Sequence, residues 1–151
     1  MKSALAPVGA CLVLAWGCGG DDDGGDPDAF RAEANSICAD FEETIAAIPL
    51  PQEAPDEWAA VAGDIGDHLE TGVNELAALE PPGELEERYD EWLALKRESL
   101  SATRDLQEAG AAADQELISE ALARLEEHEG RADELAVELG LDECATSRAD
   151  D

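Results

Sequence analysis

The sequence predicts an all-α protein that folds as an antiparallel up-and-down four-helix bundle. Four stripes of apolar residues recur at steps of three and four, which is the period of a helix with one buried face. Breaks rich in proline and glycine separate the stripes, and no segment alternates in the way that is typical of strands. Four helices joined by short breaks favour antiparallel neighbours.

The helical pattern of the first helix begins at Asp28 and ends at Pro49-Leu50-Pro51. Asp26 can cap this helix, and Pro27 suits the first helical position, where an N–H would have no partner anyway. The apolar stripe comprises Phe30, Ala34, Ile37, Phe41, Ile45 and Ile48.

The second helix is predicted to begin at Pro55-Asp56-Glu57, with its acids at the positive end of the helix dipole. Gly63, Gly66 and Gly72 each destabilise it by about 1 kcal/mol relative to alanine, which makes this the weakest of the four patterns. The stripe comprises Trp58, Val61 or Ala62, Ile65, Leu69, Gly72, Leu76 and Leu79.

The third and fourth helices follow the break at Pro81-Pro82-Gly83. We predict that Gly110 ends the third helix, that Asp114 caps the fourth, and that Gly140 ends the fourth with Leu141 folded back on the last turn. The third stripe is polar in its middle and comprises Leu85, Tyr89, Trp92, Lys96, Ser99 or Leu100, Thr103 and Leu106. The fourth comprises Ile118, Ala121, Leu125, His128, Ala132, Leu135 and Leu139.

Residues 1–17 have the features of a secretory signal peptide. Met1-Lys2 supplies a positive start, and the mostly apolar run that follows is shorter than the roughly 20 residues of a membrane-spanning helix. Leu14, Ala15 and Gly17 before Cys18 resemble the lipobox of bacterial lipoproteins, although Trp16 is bulkier than that pattern. We therefore predict cleavage before Cys18 and lipidation of its thiol.

Two alternatives to lipidation at Cys18 stay open. Cys11, preceded by Val8-Gly9-Ala10, matches the lipobox by residue type, but cleavage there leaves a very short apolar region and exposes the apolar residues that follow. An ordinary secretory cleavage near Cys18 would instead leave a free thiol. Lipidation supplies two or three acyl chains, which suffice for stable membrane attachment.

The chain is accordingly divided into four parts: a signal peptide at 1–17, a lipidated, flexible acidic tether at 18–27, a four-helix domain at 28–145 and a disordered tail at 146–151. Cleavage before Cys18 leaves 134 residues with eight basic and 38 acidic side chains, a formal charge of −30. The basic residues are scattered, so the sequence excludes a surface that tracks nucleic-acid phosphates. The acidic surface is interpreted as a solvated face, with attraction of cations or of a basic partner as the alternative.

Cys38 and Cys144 are the two cysteines of the predicted domain, and export would place them in an oxidising compartment. In an antiparallel bundle the end of the fourth helix lies beside the start of the first, so the geometry permits a disulfide without requiring it. A metal site or a redox pair is the alternative, but the two residues are not in a C-x-x-C arrangement and no histidine is adjacent. We therefore predict a structural disulfide between Cys38 and Cys144.

Three short segments carry a resemblance to known proteins: NSIC at 35–38, LAALEPP at 76–82 and GLDEC at 140–144. With the leader, they resemble small predicted lipoproteins of high-GC Gram-positive (actinobacterial) bacteria. The resemblance implies an exported, all-helical domain with one disulfide. That group has no assigned activity, so the resemblance implies nothing about chemistry.

No motif in the sequence indicates catalysis or a cofactor. Nucleophile elbows, zinc-protease motifs and phosphate-binding glycine loops are absent. His68 and His128 are weak metal candidates, but Ile65 and Leu125 occupy the positions where bundle di-iron sites have glutamate. Trp58, Tyr89 and Trp92 are expected in the core, because they have helical spacing.

We therefore expect a non-catalytic binding or interaction module, held at the extracytoplasmic face of the cell membrane by its lipid, with an envelope protein as the expected kind of partner. Binding of divalent cations by the acidic bundle is the alternative.

Overall fold

The structure, a computed structural model, describes residues 25–49 and 55–145. These residues form a four-helix bundle and include no strand, which confirms the predicted fold class. The elements are α1 (Pro27–Ala46), α2 (Pro55–Ala77), α3 (Glu86–Ala111), α4 (Gln115–Leu139) and a short 3-10 turn (Asp142–Cys144), here called the C-terminal turn. The predicted signal peptide, the tail and all of the tether up to residue 24, with Cys11 and Cys18, lie outside the described residues.

The two ends of the bundle are defined by contacts between helix termini. Nε of Arg31 donates a hydrogen bond to the Leu139 carbonyl at 2.8 Å, so the start of α1 lies beside the end of α4. The Tyr89 hydroxyl donates to the Leu76 carbonyl at 2.8 Å, and Tyr89 packs against Phe30, which places the end of α2 and the start of α3 at that same end. We call this the tether end, because the chain enters α1 there, and the opposite end the distal end.

The core contains two apolar clusters. In the larger one, at the tether end, Phe30 meets Tyr89 edge-on with ring centroids 4.9 Å apart, and Tyr89 stacks on Trp92 at 5.4 Å. Burial raises the pKa of the Tyr89 hydroxyl. The smaller cluster, at the distal end, comprises Ala62, Leu106, Ala109, Ile118 and Ala121 with Trp58 packed against it. The aromatic residues thus pack in or against the core, as predicted.

Cys38 and Cys144 form a disulfide, which confirms the predicted pairing. The bond joins residues 106 positions apart, and in the chain-entropy model such a closure stabilises a fold by at most about 4 to 5 kcal/mol. Asn35 adds two hydrogen bonds one turn earlier on α1: its amide donates to the Gly140 carbonyl at 3.1 Å, and its Oδ1 accepts from the Glu143 N–H at 2.9 Å. The C-terminal turn is therefore fixed to α1 by a covalent bond and a bidentate amide.

Three predicted helix termini are confirmed. Asp26 accepts a hydrogen bond from the Asp28 N–H at 3.0 Å with Pro27 at the first position of α1, and Asp114 accepts from the N–H groups of residues 116 and 117. Gly140 adopts the left-handed conformation at φ +75°, and the Leu141 N–H donates back to the Ala136 carbonyl at 2.8 Å. Leu141 is fully buried.

The end of α3 differs from the prediction. The helix continues through Gly110, and the left-handed residue is Ala113, at φ +52°. The N–H groups of Ala113 and Asp114 donate to the carbonyls of Gly110 and Ala109, both at 3.0 Å, which is the same pair of bonds that Gly140 and Leu141 make at the end of α4. The turn comes later than the glycine because Asp114 both closes α3 and caps α4.

The two helix ends give a matched pair of substitutions. Because a left-handed alanine is strained where glycine is not, we expect Ala113→Gly to raise the free energy of unfolding by about 0.5 to 1 kcal/mol, after the larger entropy of the unfolded glycine is subtracted. Gly140→Ala should lower it by at least as much, since a Cβ there would lie 3.1 Å from Cδ of Arg31. Urea unfolding of both variants measures this, and an unchanged or destabilised Ala113→Gly would contradict the account.

Candidate functional site

A layer of polar side chains lies between the two apolar clusters. We define the polar layer as Lys96, Ser99 and Thr103 on α3, Glu129 on α4 and Glu42 on α1. The three α3 residues are buried, because they occupy the middle of the helix face that supplies Trp92 and Leu106 to the two clusters. The polar residues in the middle of the predicted stripe of the third helix are therefore buried in the core.

Lys96 and Glu129 form an ion pair within the layer. Nζ of Lys96 lies 2.7 Å from Oε2 of Glu129, and the two side chains are 9% and 24% exposed. Burying two charges has a large desolvation penalty, and the attraction between the charges roughly offsets it only when the geometry of the pair is good. Loss of one partner would leave the other as an uncompensated charge in the core. The pair therefore constrains how α3 and α4 face each other more than it adds net stability.

Glu42 brings a second carboxylate towards the same ammonium group. Partial burial raises the pKa of Glu42, Lys96 lowers it, and the nearby carboxylates of Glu129 and Asp133 raise it further, so that the net direction is upward. Asp133 is itself buried on α4. The surroundings of Glu42 therefore favour its protonated form more than water does.

Two buried donors near this layer have no hydrogen-bond partner among the described residues. They are the indole Nε1 of Trp92 and the hydroxyl of Ser99, both fully buried. An unsatisfied buried polar group destabilises a fold by about 1 to 3 kcal/mol.

A small cavity adjoins the layer between α1, α2, α3 and the C-terminal turn. Its volume is about 20 Å³, and its lining includes Glu42, Lys96, Phe41, Val73 and Cys144. A space of this size holds about one water molecule. The space beside Glu42 and Lys96 is therefore too small for a ligand much larger than water.

The structure places the two histidines on different surfaces. His68 is exposed and lines a groove of about 130 Å³ between α1 and α2, together with Asp40 and Glu75. His128 is half-buried on α4, where its Nδ1 lies 3.2 Å from Oε2 of Glu98 on α3 without hydrogen-bond geometry. Within residues 25–49 and 55–145, no group of three or more His, Cys, Asp and Glu side chains is arranged to hold a metal ion.

The sequence analysis placed Lys96 on the third stripe but singled out neither Lys96 nor its partners as a site. A lysine on an apolar stripe signals a buried amine that needs a carboxylate. With acids at so many helical positions, the pattern could not single out Glu42, Glu129 and Asp133, all of which lie off the predicted stripes.

Comparison of the chain with protein-family models, curated proteins and solved structures gives no match. Of the helices that the structure describes, none has the length and apolarity needed to cross a bilayer.

The raised pKa of Glu42 has a consequence for stability. At pH values above the folded-state pKa, the ionised carboxylate disfavours the folded state, and this effect is relieved as the pH falls through that pKa towards the unfolded value near 4.5. Glu42→Gln should therefore be more stable than the natural chain at pH 7, and the difference should vanish near pH 4. Thermal unfolding across this pH range measures the difference.

Removing any one acid from so acidic a chain relieves some repulsion, so a control is needed. Glu43→Gln removes the neighbouring, exposed carboxylate on the same helix. Equal stabilisation by the two variants at every pH would contradict the role assigned to the surroundings of Glu42.

Proposed function

We propose that the protein is an extracytoplasmic lipoprotein, anchored to the cell membrane through lipid on Cys18, whose bundle acts as a non-catalytic binding or interaction module. The observation that carries this proposal is the Cys38–Cys144 disulfide. Disulfides persist in oxidising compartments and are rare in the reducing cytosol. A disulfide-closed domain behind a leader of the signal-peptide type favours export, and the lipobox-like residues before Cys18 supply the anchor.

Chain geometry limits how far the domain can stand from its anchor. The nine residues from Gly19 to Pro27 span at most about 30 Å when fully extended. The chain enters the bundle at the start of α1, so an anchor at Cys18 keeps the tether end close to the membrane. The distal end is then the part of the molecule best placed to meet a partner in the envelope.

A binding role is favoured over catalysis by where open space occurs in the structure. The cavity beside the polar layer has room for about one water, whereas the larger spaces are grooves between neighbouring helices at the surface. Surface grooves with polar rims suit the recognition of another molecule. The leading proposal therefore assigns recognition to the helix surfaces and a structural role to the buried charges.

The anchor is tested by changing Cys18. The natural chain should incorporate a labelled fatty acid and partition into the detergent phase, because two or three acyl chains give stable membrane attachment. Cys18→Ala should abolish both properties. Cys11→Ala, the matched control, should change neither, and continued labelling of Cys18→Ala would move the anchor to Cys11 or remove it from the proposal.

Binding of divalent cations is the second candidate, favoured by the formal charge of −29 and by the groove that His68 shares with Asp40 and Glu75. Diffuse attraction to an acidic surface is screened by salt, whereas a site with fixed metal–ligand bonds is much less sensitive.

We expect calorimetry with calcium, zinc and copper to give weak heats that fade at high ionic strength. His68→Ala and His128→Ala should leave these heats unchanged. One-to-one binding that survives high salt and disappears in either variant would make metal binding the primary function.

A further inference from the structure

A surface groove lies between the end of α3 and the start of α4, at the distal end. Its volume is about 320 Å³, comparable with the smaller pockets that hold ligands or anchoring side chains. We call it the distal groove. Its apolar part is formed by Ala109, Ala112 and Leu117, and its polar part by Asp105, Glu108, Glu120 and Arg124.

Leu117 provides an apolar contact point within the distal groove. Leu117 is 49% exposed. It lies in the first turn of α4, where its N–H donates to the capping side chain of Asp114. A single exposed leucine is ordinary on a protein surface. Here, however, it lies beside two alanines, which lack long side chains to fill the space, so an apolar side chain from another molecule could be covered on several sides.

The rim of the distal groove is negatively charged. Nη2 of Arg124 lies 2.8 Å from Oδ2 of Asp105, so these two charges neutralise each other. Glu108 and Glu120 have no ion-pair partner within the described part of the chain. The groove therefore presents an apolar floor between two uncompensated carboxylates, one on each helix.

This charge selects the kind of occupant. A second copy of a chain with a formal charge of −29 would be repelled, and so would anionic headgroups or a nucleic acid. A cationic polypeptide is attracted by the whole molecule and finds an apolar contact at this groove.

We propose that the distal groove is the docking site for a basic segment of an envelope protein. An apolar side chain of that segment packs on Leu117, and flanking Lys or Arg residues pair with Glu108 and Glu120. The proposal deepens the proposed binding function and rests on it, because it names the partner class for that module.

The position of the groove supports this assignment. Glu108 lies 19 residues along α3 from Tyr89, a distance of about 28 Å at the helical rise of 1.5 Å per residue. Tyr89 marks the tether end, where the chain enters the bundle. A partner can therefore approach the distal groove without meeting the membrane to which we propose the other end is attached.

The probe for this proposal is a synthetic amphipathic peptide of lysine and leucine. The protein is the exported Cys18→Ala chain, so the measurement does not depend on the proposed anchor. At 0.15 M NaCl we expect the peptide to shift backbone amide NMR signals at residues 105–124, and a peptide with leucine replaced by serine at the same charge to bind at least about fivefold more weakly.

Matched variants separate docking from diffuse attraction. Leu117→Ser should weaken peptide binding about fivefold or more, whereas Val137→Ser, at a side chain exposed to a similar 47%, should leave it unchanged. The double variant Glu108→Gln/Glu120→Gln should weaken binding much more than Glu126→Gln/Glu134→Gln, which removes two exposed acids of α4 outside the groove.

Signal shifts spread over all four helices, or equal losses in the groove and control variants, would overturn the docking site while leaving the membrane-anchored binding module untouched. Loss of lipid labelling in the natural chain would overturn the anchor alone.

Discussion

The attachment of α1 to the C-terminal turn is the constraint on which the rest of the structure depends. The buried residues of α1 are Phe30, Ala34 and Cys38, all within its first 12 residues, so the rest of the helix has little apolar contact with the bundle. The disulfide and the bidentate amide of Asn35 act at the same place. Because α1 is the first helix of the described chain, this junction joins the beginning of the described bundle to its end.

The acidity of the chain has different consequences inside and outside the bundle. Outside, exposed carboxylates favour solubility and repel other acidic molecules. Inside, Glu129 pairs with the buried Lys96, and the carboxylates of Glu129 and Asp133 raise the pKa of Glu42. The desolvation of such an ion pair is roughly offset by its attraction, so the pair adds little net stability. The polar layer favours one orientation of α3 relative to α4, because rotation of either helix about its axis would separate Lys96 from Glu129.

The distal groove and the polar layer also differ in how they arise. The polar layer contains residues that the helical period places on the buried face of α3. The groove, in contrast, exists because the residues near the turn between α3 and α4 are small. Ala109 and Ala112 leave space where larger side chains would have filled it. That space is next to Leu117 because Asp114, which caps α4, directly follows the left-handed turn at Ala113.

The sequence by itself determined the four helices, most of their termini and the buried face of each helix, and it favoured the disulfide partners without requiring the bond. These features depend on local chemistry: the helical period, capping side chains, proline and glycine breaks, and two cysteines brought together by antiparallel order. Only the tertiary structure decided which carboxylates meet Lys96, that Ala113 and not Gly110 makes the turn after α3, and that His68 and His128 lie on different surfaces. The physical reason is that a periodic pattern defines which side of a helix is buried, while the neighbours that each side chain meets depend on how whole helices rotate and shift against one another.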